Sequence, residues 1–331
     1  MKAAVIDAPG KLKVTELPDP QIHDKEVLVR VDSCGICGSD VKIYKGEWTI
    51  PFPRIMGHEF AGEVVEVGNQ VTQFKPGDRV TVDPNEACGE CEYCRDDRPH
   101  FCPNMIDHGI LVDGGFAELA KAGEKAVYHL PENVSLVQGS FTELLSCCVQ
   151  GINRAQIKLG ERVAVFGGGP AGQLLHQLAG VAGAGTVTLL TRSHEKRELA
   201  RKLGVREALN PQEVDLKDYA FDVVIDAAGS AQVVQDAMQC LTKRGRLIIF
   251  GQAPEGEHAS IDLFNLLLNE VSIIPSFINP FTTAQAIRLL EERKIDVDSL
   301  VSHQITLDDV QQGFDLHMQK VSGTMKVVVK P

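Results

Sequence analysis

The sequence is short of positive charge and of long apolar runs. Lys and Arg number 33 against 45 Asp and Glu, a net charge of −12 over 331 residues. So acidic a chain repels phosphate backbones, which argues against nucleic acid and anionic membranes as partners. No apolar run reaches the roughly 18 residues of a membrane-spanning helix. The N-terminus has no apolar core with a cleavage site, so we expect a cytoplasmic protein.

Disulfide-forming cysteine pairs are not expected either, because nine cysteines is an odd number and no secretory signal is visible. Closely spaced thiolates can instead converge on one tetrahedral ion, and four of them leave no open position on it. The spacing C-x2-C-x2-C-x7-C therefore predicts a structural zinc lobe at residues 88–102. Four unrelated thiols and an iron–sulfur cluster are the alternatives. The four thiols belong to Cys88, Cys91, Cys94 and Cys102.

The length of the chain exceeds that of one ordinary core and predicts two domains. Roughly the first 140 residues show strands and turns, with apolar alternation at 26–31 and 60–67. From about residue 150, short apolar runs alternate with helical patterns, which predicts a doubly wound α/β sheet. The predicted strands are 162–166, 186–190, 221–226 and 246–250, and the helices between them are 171–182, 195–203 and 231–241. Helices at 283–293 and 307–314 and a strand at 325–329 close the chain.

A glycine-rich turn follows the first of these predicted parallel strands. It has the form G-x-G-x-x-G and opens the next helix. Such a turn lets the backbone approach a pyrophosphate, which the N-terminus of the helix then faces. In this strand-turn-helix context the motif predicts a dinucleotide site formed by Gly167, Gly169, Pro170, Ala171 and Gly172.

The end of the second parallel strand indicates which dinucleotide binds. An acidic residue there would bind the ribose 2′-hydroxyl of NAD. Here Thr191 takes that position, and Arg192, Ser193 and Lys196 (or Arg197) could bind a 2′-phosphate. We therefore expect NADP, with NAD as the alternative. The competing interpretation is that these are ordinary helix-start and surface residues.

Two further segments bring together a thiolate, an imidazole and a carboxylate. The first is C-G-I-C-G-S-D at 34–40, and the second is the glycine-spaced string from Gly57 that contains His58 and Glu59. A soft thiolate and a borderline imidazole suit Zn²⁺. These segments predict a second metal site.

Taken together, these motifs resemble the zinc-containing medium-chain dehydrogenase/reductase family, closest to its polyol dehydrogenase branch. The resemblance implies an α/β protein with a GroES-like, mainly β catalytic domain at 1–146 and 280–331. It implies a Rossmann domain, a doubly wound parallel sheet, at 147–279. The active site would lie between the two domains.

The resemblance also assigns roles to individual residues. Cys37 and His58 match the catalytic zinc ligands of the family, and Glu59 matches a neighbouring ligand or supporting carboxylate. Ser39 matches the proton-relay hydroxyl, and Asp40 matches the carboxylate that orients the ligand histidine. The four-cysteine segment matches the family's structural zinc lobe.

A third ligand is expected in the segment T-E-L-L-S. Glu143 aligns with a glutamate that binds zinc, directly or through water, in the polyol branch, although Leu144 replaces a proline there. Cys147 lies four residues on and would share its face of a helix, so it is the competing ligand.

The expected activity is therefore hydride transfer between NADP(H), or NAD(H), and a secondary alcohol or ketone of a polyol, sugar or sugar phosphate. One catalytic and one structural zinc are expected. Family members are usually dimers or tetramers, so a homo-oligomer is expected too. The alternatives are a redox-sensing regulatory protein that binds NADPH and zinc, and a zinc-free quinone reductase-like enzyme.

Overall fold

The structure, a computed structural model, describes all 331 residues. The chain forms two compact units. The first consists of Met1–Ser146, Asn279–Arg293 and Val297–Pro331, and the second of Cys147–Ile278 and Lys294–Asp296. None of the helices combines the length and the apolar character needed to cross a bilayer.

The first unit begins with short strands and few helices. Its strands in this part are β1 (Lys2–Ala8), β2 (Lys11–Glu16), β3 (Glu26–Gly35), β4 (Arg54–Ile55), β5 (Glu59–Val67), β6 (Arg79–Val82), β7 (Asn85–Glu86), β8 (Ile106–Asp107), β9 (Leu119–Gly123) and β10 (Val127–His129). Its helices are α1 (Gly38–Tyr44), α2 (Glu92–Arg95), α3 (Leu136–Gly139) and the start of α4 (Thr142–Ala155).

The second unit is one parallel sheet with helices between its strands. Its strands are β11 (Arg162–Phe166), β12 (Thr186–Leu190), β13 (Glu207–Leu209), β14 (Phe221–Asp226), β15 (Leu241–Ile249) and β16 (Ser272–Pro275). Its helices after α4 are α5 (Pro170–Val181), α6 (His194–Lys202), α7 (Ala231–Cys240) and α8 (Leu263–Leu268). The strand order is β13-β12-β11-β14-β15-β16, with every neighbouring pair parallel. The order reverses beside β11, where such sheets bind ligands at the carboxyl ends of their strands.

The chain then returns to the first unit and completes its main sheet. The last elements are α9 (Thr283–Glu291), β17 (Val301–Thr306), α10 (Val310–Met318) and β18 (Lys326–Lys330). Strand β18 pairs antiparallel with β3, and β3 pairs antiparallel with β5 and β9. The C-terminal strand is therefore the neighbour of β3, which leads into the first of the two metal-motif segments.

The predicted fold class is confirmed: a mainly β unit is joined to a doubly wound parallel sheet. The strands predicted at 162–166, 186–190 and 221–226 have those bounds in the structure. Each is largely buried and mainly apolar, as is typical of strands inside a parallel sheet. The strand predicted at 246–250 is β15, which starts earlier, at Leu241. The sequence does not reveal this start because the residues after Leu241 are polar and at least partly exposed.

Candidate metal centre and dinucleotide site

The pairing of β3, β5 and β18 sets up the first candidate site. Gly35, at the end of β3, is paired with Glu59 on one side and with Val328 on the other. A Cβ atom at Gly35 would lie 2.2 Å from a carboxylate oxygen of Glu59. With Glu59 in this position, a larger residue at Gly35 would displace its carboxylate. The same register places Lys326, at the start of β18, beside Glu59.

The candidate metal ligands Cys37, His58 and Glu59 come together in the structure. Their donor atoms all lie within 4.8 Å of one another. That is close to the span of about 4 Å that one ion with bonds of about 2 Å can bridge. Cys37 precedes α1 and is partly exposed, whereas His58 and Glu59 are buried at the start of β5. The cluster is thus open on the side of the sulfur.

His58 lies between two polar side chains of α1. Its Nδ1 is 3.4 Å from Asp40 Oδ1, and its Nε2 is 3.4 Å from Ser39 Oγ. The buried Nδ1 and Oδ1 atoms have no other partner. The second oxygen of Asp40 accepts the backbone N–H of Cys37 at 2.8 Å. With Nδ1 turned to Asp40, Nε2 is the imidazole atom presented to an ion.

The charges around His58 favour a cation at this place. Burial alone lowers the pKa of His58, but the Asp40 carboxylate and the Cys37 sulfur raise it well above its usual value. A thiolate, an imidazole and carboxylates are also ligand types that Zn²⁺ takes. The residues of the cluster therefore fit a zinc ion.

Lys326 is a site residue that sequence reasoning missed. Its ammonium group donates to both Glu59 oxygens, at 2.5 and 2.7 Å, and the two side chains are 3% and 0% exposed. Burial by itself lowers the pKa of Lys326, but the charges of Glu59 and Cys37 raise it above its usual value. The one available signal was a lysine inside a strand whose neighbours are apolar, since lysine is almost never fully buried without a partner.

Glu143 lies near this cluster but outside its inner group. It is buried in the first turn of α4, and its charge contributes to raising the pKa of Lys326. Neither Glu143 nor Cys147 belongs to the group of donors within 4.8 Å. Cys34 is fully buried in the core of the first unit, and burial raises the pKa of its thiol well above the usual value.

The four-cysteine lobe is compact. Its sulfur atoms lie 3.4 Å (Cys91–Cys94), 3.5 Å (Cys88–Cys102) and 3.9 Å (Cys88–Cys94) apart. Four thiolates around a tetrahedral zinc lie about 3.8 Å apart, given Zn–S bonds of about 2.3 Å. Backbone N–H groups of Glu90 and Cys91 lower the pKa of Cys88 to about 6, which favours the thiolate. The lobe thus fits a zinc ion as well.

The dinucleotide motif lies where expected in the second unit. Strand β11 ends at Phe166, and α5 begins at Pro170 with Gly169 as its N-cap. A Cβ atom on Gly172 would lie 1.8 Å from the carbonyl oxygen of Gly167, so only glycine allows the helix to start this close to the turn. The first-turn N–H groups of α5 have no partners within the helix and suit a phosphate.

The predicted 2′-phosphate residues follow β12. Ser193 caps α6 by accepting the backbone N–H of Lys196, and Arg192 is exposed. Arg197 donates to the carbonyl oxygens of Thr191 and Arg192, at 2.7 and 2.8 Å, and so braces this turn. The Lys196 side chain is half-buried, and burial lowers its pKa.

Comparison with known families and proteins matches both units. The family model of the alcohol dehydrogenase GroES-like domain covers residues 23–132, and that of the zinc-binding dehydrogenase covers residues 170–292. D-arabinitol dehydrogenase 1 of Uromyces fabae is 32% identical, over 100% of this chain and 97% of its own length. The chain belongs to the zinc-binding alcohol dehydrogenase family.

Solved structures of this dehydrogenase family superpose over the whole chain. A zinc-binding dehydrogenase of Sinorhizobium meliloti with bound NADP is 36% identical, with a TM-score of 0.96 over 100% of this chain and 99% of the other. Galactitol-1-phosphate dehydrogenase of Escherichia coli is 28% identical, with a TM-score of 0.92 over 100% of both chains. The resemblance to zinc-containing medium-chain dehydrogenases, the GroES-like and Rossmann folds and the zinc-dependent oxidoreductase class are confirmed.

Proposed function

We propose that this dehydrogenase transfers a hydride between NADP(H) and a secondary alcohol or ketone of a polyol, sugar or sugar phosphate. The observation that carries the proposal is the open cluster in which Cys37 and His58 lie beside the Ser39 hydroxyl. A site that served only to hold the fold would not need a proton carrier at its open side. The arabinitol and galactitol-1-phosphate enzymes support the substrate class.

For the catalytic metal we propose Cys37 and His58 as fixed ligands and Glu143 as the third. Both oxygens of Glu59 already receive hydrogen bonds from Lys326, which reduces the negative charge that Glu59 can offer to a second cation. Glu143 is buried nearby, in the first turn of α4. Glu59 then supports the site through its charge. Glu143→Ala should lower zinc affinity more than Glu59→Gln does, as measured by competition with a chelator.

Zinc, when bound, would polarise the C–O bond of the substrate and lower the pKa of its hydroxyl group. The chain itself has to take the proton away. We propose that Ser39 Oγ accepts it and passes a proton on, since this oxygen lies 3.4 Å from Nε2 of His58. Asp40 holds His58 in the orientation that leaves Nε2 on this side. Lys42 follows three residues later on α1 and could continue the relay, with water as the alternative carrier.

We propose NADP rather than NAD as the dinucleotide. No carboxylate stands at Thr191 to bind a ribose hydroxyl or repel a phosphate. Arg192, Ser193 and Lys196 supply two cations and a hydroxyl at the start of α6. The pKa of Lys196 is lowered by burial, and a nearby phosphate dianion would favour its charged form.

The experiment that tests the proposal is a substrate screen with the zinc-loaded enzyme and both dinucleotides. It compares polyols, ketoses and their phosphates with L-threonine, a secondary alcohol that carries ammonium and carboxylate groups. Turnover of a polyol or ketose with a higher kcat/KM for NADP than for NAD is expected. Tight NADPH binding with no turnover of any alcohol or ketone would instead favour a regulatory protein.

We further propose that the enzyme is a homo-oligomer, a dimer or tetramer, and that it works in the cytoplasm. Helix α8 exposes Leu263, Phe264, Leu267 and Leu268 by 60–75%, and β16 forms an open edge of the parallel sheet. Exposed apolar patches and unpaired strand edges are typical of association surfaces. Light scattering of wild type and Leu267→Glu tests the assembly, since a monomeric wild type would contradict it.

The proposed compartment is supported by the cysteines. All nine are free thiols, which suits a reducing compartment. Cell fractionation tests the compartment.

A further inference from the structure

Helix α5 buries two polar side chains on the face that packs into the second unit. Gln173 is 0% exposed and His176 is 3% exposed. The Gln173 amide nitrogen donates to the carbonyl oxygen of Gly168 at 3.3 Å and to that of Lys196 at 2.9 Å. His176 Nε2 lies 3.0 Å from the Gln173 amide oxygen. One side chain thus makes three hydrogen bonds inside the unit.

The chemistry of the partners fixes how this amide is oriented. Both carbonyl oxygens can only accept, so the amide nitrogen has to face them. The amide oxygen therefore faces His176, which has to donate. Burial lowers the pKa of His176 to about 4, so at neutral pH its ring carries a single proton, placed on Nε2. His176 in this way holds the amide of Gln173 in one orientation.

The two carbonyl groups belong to the two parts of the dinucleotide site. Gly168 lies in the glycine-rich turn that faces the pyrophosphate, and Lys196 lies on α6, among the residues for the ribose phosphate. The two segments also pack directly, since a Cβ atom at Gly168 would lie 3.0 Å from Lys196 Cβ. An apolar side chain of the same length would fill the space of Gln173 but would tie neither carbonyl group. The hydrogen bonds of the amide therefore fix the distance between the turn and α6, which packing alone does not do.

We propose that Gln173 is a positioning residue for cofactor choice: it holds Lys196 at the spacing from the glycine-rich turn at which a 2′-phosphate is bound. This inference rests on the proposed preference for NADP. Gln173 itself is buried and touches no cofactor atom in this account. Its effect should therefore be confined to the part of binding that depends on the 2′-phosphate.

The test measures the dissociation constants of NADP⁺ and NAD⁺ for the zinc-loaded enzyme by calorimetry, with no substrate present. Gln173→Met keeps the length of the side chain and removes the amide. Its ratio Kd(NAD⁺)/Kd(NADP⁺) should fall about five- to tenfold, mainly through weaker NADP⁺ binding, as expected for one or two lost hydrogen bonds.

Gln177→Met is the matched control. Gln177 lies on the same helix, but its amide bonds to the backbone of Gln173 and Asp296 and reaches neither segment of the site. This variant should keep the wild-type ratio. A Gln173→Met variant that weakens both dinucleotides equally, or that keeps the wild-type ratio, would overturn the inference. A fall of the same size in Gln177→Met would overturn it too, because the helix as a whole would then be responsible.

Two further measurements keep the outcomes separate. Should Gln173→Met not fold, Gln173→Leu replaces it, because this change also removes the amide and leaves an apolar side chain in its place. An unchanged ratio in a folded Gln173→Leu then overturns the inference. Lys196→Ala and Arg192→Ala test the underlying proposal. If neither variant lowers the ratio Kd(NAD⁺)/Kd(NADP⁺), the NADP proposal itself fails. If both variants lower this ratio but Gln173→Met does not, only the role of Gln173 is contradicted.

Discussion

Two groups of candidate metal ligands lie in the first unit of this dehydrogenase, and they are built differently. The four-cysteine lobe takes its donors from the single segment 88–102, and its aromatic residues Tyr93 and Phe101 are 39% and 49% exposed. The cluster of Cys37, His58 and Glu59 is drawn from two segments and is supported by buried charges, among them Lys326 from the last strand.

The difference matches the roles proposed for the two ions. Four identical thiolates complete the shell of a zinc ion, so the lobe needs nothing around it and has little apolar area of its own to hold it together. An ion that also binds substrate keeps an open position, so its ligands have to be oriented by other residues. We therefore expect changes to the ligands of the open cluster to act on turnover and changes to the ligands of the lobe to act on stability.

The largest effect is expected for Cys37→Ala. Loss of a catalytic ligand removes stabilisation worth several kcal/mol, so kcat should fall at least about a thousandfold. Because Cys37 is partly exposed, the melting temperature should change by no more than a few degrees. Steady-state kinetics, elemental analysis and a thermal melt check this. A variant that binds one zinc per chain less and still turns over substrate would contradict the roles given to the two groups.

The next largest effect is expected for Lys326→Met, which should lower the stability of the protein. Removing one partner of a buried ion pair leaves the charge of Glu59 without its counter-ion, which costs about 3–5 kcal/mol of unfolding free energy. Denaturant unfolding measures this cost. The double variant Lys326→Met with Glu59→Leu should recover most of the loss, because no unpaired charge is left. A single variant as stable as wild type would show that the pair does not hold the cluster.

Ser39→Ala should lower kcat about a hundredfold, the usual contribution of a positioned proton carrier. Zinc content and dinucleotide affinity should stay at their wild-type values, since Ser39 is not a ligand. Lys42→Ala sharpens the assignment, because less than a twofold change is expected if water carries the proton onward. A hundredfold loss in Lys42→Ala would instead place the relay on the lysine.

Cys91→Ala should have the smallest effect on chemistry. Losing one thiolate weakens the lobe, and a destabilisation of about 2–3 kcal/mol lowers the melting temperature by about 5–10 °C. The kcat of the folded protein should remain within twofold of wild type. A variant with unchanged melting temperature and lost activity would reverse the roles assigned to the two clusters.

Much of the second unit could be predicted because its signals are local. The strands at 162–166, 186–190 and 221–226 are short apolar runs between turns, and the glycine string follows the first of them directly. Strand β16 and helix α8 were not predicted. Strand β16 begins with the polar Ser272 and ends with Pro275, so its apolar run is very short. Helix α8 has apolar residues around its whole circumference and therefore lacks the one-sided pattern of an amphipathic helix.

The support of the open cluster could not be predicted for a different reason. Cys37, His58 and Glu59 belong to recognisable segments, but Lys326 reaches Glu59 across 267 residues of sequence. Nothing in the local pattern M-K-V-V-V-K says which carboxylate that lysine meets. The contact exists because β18 returns beside β3, and this pairing is a property of the sheet rather than of either segment.

Stepwise removal of zinc by a chelator tests the central claim most directly, with turnover, zinc content and folding followed in the same samples. We expect the open site to lose its ion first, because fewer protein ligands hold it than the four thiolates of the lobe. Turnover should then fall in proportion to loss of the first zinc per chain while the melting temperature holds, and the melting temperature should fall only with the second. Should the lobe instead be the first to lose its ion, turnover would stay full after loss of one zinc per chain. The melting temperature would in that case drop to that of Cys91→Ala, and only the order of release would be wrong. Turnover that persists after both ions have been removed would contradict the account.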